Sequence, residues 1–152
     1  VAAIEVQAPI ILQAVNQLYK EQPLQQLTGA THAAAWVTLE GHIESIREDV
    51  GRHNALDKLI GHLIKQKTIP QLGFIAITSR ASFEMVQKTV AFGAGLLAAV
   101  SAPTQLAIQV ASSHNLALVG FVRAHQLVTY SFPERVGLVN ASANKVMHFN
   151  SN

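Results

Sequence analysis

The sequence predicts an α/β domain built on a mixed sheet, and three observations carry that expectation. Hydrophobic residues make up 49% of the chain and charged residues 13%, a balance that suits strands buried on both faces and argues against disorder. Apolar residues recur at helical spacing in some segments and run continuously in others. The continuous runs, GFIAIT at 73–78, LAAV at 97–100 and LALVGFV at 116–122, alternate with helical segments, as parallel strands joined by crossover helices do.

Residues 8–19 carry Ile11, Leu12, Val15, Leu18 and Tyr19 at i, i+3/i+4 spacing, with Pro9 suited to a first turn, and read as a helix. A turn and a glycine-containing loop follow. Ala34 to Leu39 and His42 to Arg47 flank Glu40-Gly41 and read as a hairpin. Asn54 to Gln66 repeats Leu56, Leu59, Ile60, Leu63 and Ile64 on one helical face. The period then changes. Gly73 to Thr78 is a buried strand, and Phe83 to Phe92 a helix that Gly93 and Gly95 would end. Leu97 to Val100 is a second buried strand. Pro103-Thr104 opens a helix to Ser113, closed by His114-Asn115. Leu116 to Val122 is a third buried strand, and Val128 to Tyr130 adds a short last one. Met85 and Phe92 read as core. The tail from Gly137 to Asn152 is rich in Asn and Ser, shows no period and reads as loosely ordered, which leaves residues 1–136 as one domain. By analogy, an antiparallel hairpin followed by parallel β-α units is the layout of the cytidine-deaminase-like fold, a three-layer α/β/α arrangement with a mixed sheet.

Bulk chemistry excludes several functions. A net charge of +2 with no basic run gives no reason to expect a nucleic-acid partner. No apolar run approaches the ~20 residues of a membrane span, and no segment has signal-peptide order. The cysteine count is zero, so disulfides, thiolate metal sites and a Cys nucleophile within these residues are all excluded.

Three strand-to-helix junctions gather polar groups. Glu48-Asp49-Val50-Gly51-Arg52-His53-Asn54 packs two acids, a glycine, a base and an imidazole ahead of an apolar helix. Thr78-Ser79-Arg80-Ala81-Ser82 and Ser101-Ala102-Pro103-Thr104 follow two of the buried strands. In a parallel sheet such junctions lie at the carboxyl edge, where ligands bind. Each exposes helix N–H groups that suit an anion, and Arg52 and Arg80 could grip a phosphate. The plain alternative is that these hydroxyls are ordinary N-caps. His32, within Thr28-Gly29-Ala30-Thr31-His32, is a further candidate, although a lone histidine is more often structural. The histidines show no metal-ligand spacing; His53 and His62 are nine apart. Phe121-Val122-Arg123-Ala124-His125-Gln126 leaves the third buried strand and reads either as a crevice lining or as a surface turn.

Taken in order, TGATHAAAW, EDVGRHNALDKLIG, TSRASFEMVQKTVAFGAG, VSAPTQLAIQVASSHNLALVGFVR and TYSFPERV resemble successive blocks of the FdhD/NarQ family of formate dehydrogenase accessory sulfurtransferases, from about Thr28 to Val136. The EDVGRHNALDK block is highly specific. The resemblance implies a cytoplasmic protein with the deaminase-like fold. It implies a persulfide received from a cysteine desulfurase and passed to molybdenum bis(molybdopterin guanine dinucleotide), the bound substrate, which then enters formate dehydrogenase. The persulfide forms in a C-G-x-C-G-type loop N-terminal to these blocks. The resemblance therefore puts the persulfide cysteine upstream of Val1 and no catalytic residue within this chain. A domain truncated at its N-terminus is expected, inactive alone in sulfur transfer.

Carried over by position, the cofactor segment is Phe121, Val122, Arg123, Ala124, His125 and Gln126. Family members have a basic residue, a glycine and an arginine there; Arg123 keeps the base, while His125 and Gln126 replace the other two. The blocks holding Thr28 and His32, Gly51, Arg52 and His53, and Ser79, Arg80 and Ser82 coincide with the junctions above. They fit a ligand bearing nucleotide phosphates, and a GDP-like nucleotide is an expected ligand. Two other functions stand beside this one. A zinc nucleobase deaminase needs H-x-E and P-C-x-x-C segments, but His53 is followed by Asn54-Ala55, and Ser79-Arg80-Ala81-Ser82 holds no cysteine; no zinc is expected. A carrier or chaperone would hold the cofactor without chemistry. The apolar helices at 11–19 and 83–97 leave room for a homodimer, which is expected on that ground, although core packing explains their apolar faces equally well.

Overall fold

Period-two alternation along buried strands divides the apolar side chains between two cores, one on each face of a sheet. The computed structural model describes residues 1–22, 31–137 and 145–149. In chain order the elements are β1 (Val6–Gln7), α1 (Ala8–Lys20), β2 (His32–Thr38), β3 (Ile43–Asp49), α2 (Arg52–Lys65), β4 (Gly73–Ile77), α3 (Phe83–Phe92), β5 (Leu96–Ala99), α4 (Gln105–Ser113), β6 (Ala117–Arg123), β7 (Gln126–Thr129), β8 (Val136–Gly137) and β9 (Lys145–His148). The main sheet has the order β3-β2-β4-β5-β6-β7-β9. Strand β2 is antiparallel to both β3 and β4. Strands β4, β5 and β6 run parallel, β7 returns antiparallel to β6, and β9 adds parallel to β7.

Ala33, Ala35, Phe74, Ala76, Ala98 and Val119 face α1 and pack with Ile11, Leu12, Val15 and Leu18. The intervening residues Ala34, Trp36, Ile75, Ile77, Leu97 and Leu118 face the other way, onto Leu56, Leu59 and Leu63 of α2, Met85 and Val86 of α3, and Ala107 and Ile108 of α4. The result is the expected three-layer α/β/α arrangement with an antiparallel hairpin leading into parallel β-α units. No helix among the described residues is long and apolar enough to cross a membrane.

Local chemistry sets the element ends. Pro9 occupies the first turn of α1. Ser82 and Thr104 accept hydrogen bonds from Met85 N and Ala107 N and so cap α3 and α4. Gly93 closes α3 in the left-handed region, φ 102°, where a Cβ would be strained.

Four expectations need correction. Gly95 is not a helix stop: a Cβ there would lie 1.9 Å from the Ala2 carbonyl oxygen, so it is the gap through which the N-terminal segment crosses. Tyr19 and Ile64 are 48% and 61% exposed, because each lies at the edge of its helix's apolar stripe in the last turn. The tail is not wholly irregular, since Lys145–His148 joins the sheet beside β7; a strand of four residues in a polar segment leaves no periodic trace. The two-residue pairing of β1 with β8 is invisible to pattern for the same reason. Thr28 and residues 138–144 lie outside the described residues.

Candidate functional site

Strand direction brings the candidate segments to one edge. Because β2 runs against β3 and β4 while β4, β5 and β6 run together, the start of β2 and the ends of β3, β4, β5 and β6 share a rim. His32 opens β2 and pairs in register with Asp49, the last residue of β3. Gly51, Arg52 and His53 follow β3; Ser79, Arg80 and Ser82 follow β4; Arg123 ends β6. From β3 to β6 the rim crosses four inter-strand steps, roughly 19 Å at ~4.8 Å per step.

At the β3 end, the Asp49 carboxylate organises the turn into α2. Its Oδ1 accepts from the Gly51 N–H at 2.9 Å, and its Oδ2 lies 2.6 Å from Lys58 Nζ. The bond from Lys58, then the bond from the Gly51 N–H, hold the Asp49 carboxyl below its ordinary value. This carboxylate serves the helix end that Gly51, the N-cap, has no side chain to serve. Arg52 stands exposed in the first turn of α2, which holds no acidic residue. A guanidinium beside the positive end of a helix dipole favours an anion there. His53 is half buried, and its Nδ1 has no hydrogen-bond partner among the described residues. Thr31 Oγ1 donates to Glu48 Oε2 at 2.9 Å, tying the segment before β2 to the same corner.

The middle of the rim is laced by backbone contacts. Thr104 N donates to Ala81 O at 3.0 Å, and Val100 N to Ile77 O at 3.1 Å. Arg80 is exposed and its Nε donates to Ala102 O at 3.0 Å. Arg123 Nη1 donates to Val100 O at 2.6 Å. Two guanidiniums, 43 positions apart in the chain (123 − 80), therefore sit on the three-residue stretch Val100–Ala102. Ser79 is buried with Oγ 4.0 Å from Met85 Sδ, so it faces the helical layer rather than the rim. Ser82 is spent as the α3 cap.

Phe121 to Gln126 forms a bulged hairpin. The β6–β7 register shifts between Gly120 and Arg123, and Phe121 takes φ 50°, a conformation costly for a non-glycine residue. The bulge leaves the Phe121 ring 40% exposed, with the Arg123 guanidinium 5.3 Å from its centroid. Arg123 pairs with Gln126, so Ala124 and His125 are the turn itself. It is a surface turn, and its base is part of the rim.

The sequence predicts α1 as a helix but gives it no part in the site. Asn16 Nδ2 donates to Ala124 O at 3.3 Å, and an open cavity of about 460 Å³ lies between α1 and the turn, lined by residues including Gln13, Gln17 and Lys20 of α1 and His125 of the turn. Burial raises the Tyr19 phenol above its ordinary value, while the nearby Arg123 charge acts the other way. The available signal was the run of polar residues, Gln13, Asn16, Gln17 and Lys20, on one face of α1. Among the described residues, no group of three or more His, Cys, Asp and Glu side chains could hold a metal ion.

Val1, the position before which the persulfide cysteine is expected, is no part of this site. It is 45% exposed, and beside it Ala2 N donates to Gly93 O at 2.9 Å, where α3 turns back towards β5. That is the amino end of β5, the sheet edge opposite the rim. Nearness to Val1 in sequence is therefore not nearness to the rim in space, because β5 itself lies between the two.

Known proteins share the fold and much of the sequence. A solved structure of a protein described as a formate dehydrogenase accessory protein from Desulfotalea psychrophila superposes with a TM-score of 0.83 at 24% identity, covering 90% of this chain and 61% of its own. At that identity the likeness speaks for the fold. Proteins named sulfur carrier protein FdhD are 56% identical over 128 residues in Bordetella petrii and 55% identical over 127 residues in Cupriavidus necator. Each match covers 84% of this chain but 46% and 44% of the relative, so the chain spans about half the length of the curated relatives it matches. The model of the FdhD/NarQ family matches residues 1–137, and the chain belongs to that family.

Proposed function

We propose that this chain is the cofactor-binding part of an accessory sulfurtransferase for formate dehydrogenase. In this reading the rim holds molybdenum bis(molybdopterin guanine dinucleotide) as substrate. A cysteine desulfurase supplies the sulfur as a persulfide, and formate dehydrogenase receives the sulfurated cofactor. The names of the relatives, sulfur carrier protein and formate dehydrogenase accessory protein, support the pathway.

The observation that carries the reading is the placement of Arg80 and Arg123 on one backbone stretch, Val100–Ala102. Each guanidinium presents five N–H donors, of which the described bonds use few. The others can take phosphate oxygens in charge-assisted bonds. Arg52 at the start of α2 offers a second anionic station about two strand steps from Arg80, roughly 10 Å. A ligand that engages both must be long and carry separated phosphates, as a dinucleotide does. Phe121 offers a flat face for a ring.

This chain's residues bind and orient; they do not carry sulfur. Persulfide transfer is thiolate chemistry, and the sequence holds no cysteine, so the sulfur-bearing group comes from outside these 152 residues. Isothermal titration calorimetry with GDP tests the reading. The chain should bind GDP, and Arg80→Ala and Arg123→Ala should each weaken binding about tenfold or more, as expected for a lost charge-assisted bond. Absence of GDP binding by the folded chain would sink the proposal. A non-catalytic carrier would use the same rim, and sulfur transfer measured after adding a persulfidated Cys-bearing segment separates the two.

A further inference from the structure

We propose that the groove between the edge strand β3 and helix α2 is a docking site for an extended acidic segment of a partner protein. The proposal goes beyond the nucleotide-binding reading and does not depend on it.

Strand β3 ends the main sheet and pairs, among the described residues, with β2 alone. Its outer edge, seven residues long or about 23 Å at ~3.3 Å per residue, is therefore open to a further strand. Arg47 lies opposite Ala34, which packs on the α2 side of the sheet, so Arg47 faces α2 as well. Across from it Lys58, Gly61, His62 and Lys65 of α2 recur at i, i+3/i+4 and i+7 and share one helical face. Between strand and helix runs an open groove of about 410 Å³, lined by these five residues and Asp57.

Charge chooses the occupant. Asp57 is neutralised by Lys88, whose Nζ lies 2.9 Å from its Oδ1. Asp49, where β3 gives way to α2, is neutralised by Lys58. Glu48 lies opposite Ala33, on the α1 side of the sheet, and Glu44 stands outside the groove lining. Arg47 and Lys65 have no acidic partner among the described residues. An extended chain points every second side chain the same way, so carboxylates at alternate positions would meet these two cations in turn.

Gly61 is the second observation. A glycine inside a helix costs stability, and a Cβ at Gly61 would meet nothing within 4 Å, so no described neighbour requires the glycine. It is exposed and lines the groove, where bare helix backbone lets another chain come close. The competing reading is an edge guard, since charged side chains commonly protect edge strands from pairing. Arg47 Nη1 and Lys58 Nζ do donate to the Ile46 and Glu48 carbonyls at 2.7 and 3.2 Å. A guard accounts for neither Gly61 nor Lys65, and it predicts that no strand docks.

Fluorescence anisotropy on the whole chain tests this, with a labelled heptapeptide alternating glutamate and valine and its counterpart carrying lysine for glutamate. The glutamate peptide should bind at least about tenfold tighter than the lysine peptide. Gly61→Gln fills the groove without changing charge. It should weaken the glutamate peptide about tenfold or more, with a melting temperature equal to or above the parent's. Lys65→Glu should weaken it by a similar factor and narrow the preference between the peptides. No binding of the glutamate peptide by the parent, equal binding of the two peptides, or binding that both folded variants retain overturns the proposal. So does a parent chain that sediments as a dimer and becomes monomeric with Gly61→Gln, because the groove then belongs to a second copy.

Discussion

Replacing Gly120 with alanine should damage the protein in two separable ways. A Cβ at Gly120 would sit 2.9 Å from Tyr130 Cε2, 3.0 Å from Pro103 Cδ and 3.1 Å from the Ser101 carbonyl oxygen. Optimal carbon contacts are ~3.5–4.0 Å, so each neighbour must retreat by about 0.5–1 Å. The Tyr130 ring can swing. Pro103 is rigid and Ser101 O is backbone, to which Phe121 N donates at 3.4 Å. Overpacking of this kind costs about 1–3 kcal/mol. At roughly 2–4 °C per kcal/mol for a domain of this size, the melting temperature should fall by about 2–12 °C. The displaced loop also carries the Val100 and Ala102 carbonyls that hold Arg123 and Arg80. GDP affinity, measured by calorimetry well below the variant's melting temperature, should therefore drop although the chain remains folded. A variant that melts with the parent and binds GDP as tightly would refute the close packing of the Ser101–Pro103 loop on β6 and its role in holding the arginines.

Two further outcomes follow from the rim. Ser82→Ala should cost about 1 kcal/mol in urea denaturation, because the hydroxyl caps α3, and leave GDP affinity unchanged; lost affinity at full stability would place the hydroxyl on the ligand instead. The Asp49 carboxyl sits below its ordinary value of 3.8, chiefly through Lys58 and then the Gly51 N–H. A value depressed on folding adds stability that is complete above 3.8 and is lost as pH falls through the folded-state value. Asp49→Asn should therefore be less stable than the parent at neutral pH, and the gap should close in acid. Urea titrations at both pH values check this, and a gap that persists unchanged in acid contradicts it.

Elements with strong local signals were legible in the sequence. Helix α3 has the bounds its sequence predicts, Phe83 to Phe92, because Ser82 and Gly93 act on the backbone beside them. The β2–β3 hairpin and the strands β4, β5 and β6 fall within a residue or two of the expected bounds, since each is a short apolar run between turn residues. Short or polar elements escaped: β1, β8 and β9 are held by partners distant in sequence, not by their own composition. Gly95 escaped as well, because its neighbour, Ala2, is 93 positions away (95 − 2).

The same division holds for the site. Residue order alone determined which junctions carry polar groups, and the β-α pattern was enough to expect them along one sheet edge, because parallel strands expose their carboxyl ends together. Tertiary structure alone decided that Arg80 and Arg123 share one backbone stretch and that α1 closes over the β6–β7 turn. Those facts depend on contacts between residues dozens of positions apart, such as Asn16 with Ala124. A periodic pattern reports only which way a side chain points from its own helix or strand, and what it meets there is settled when the layers pack.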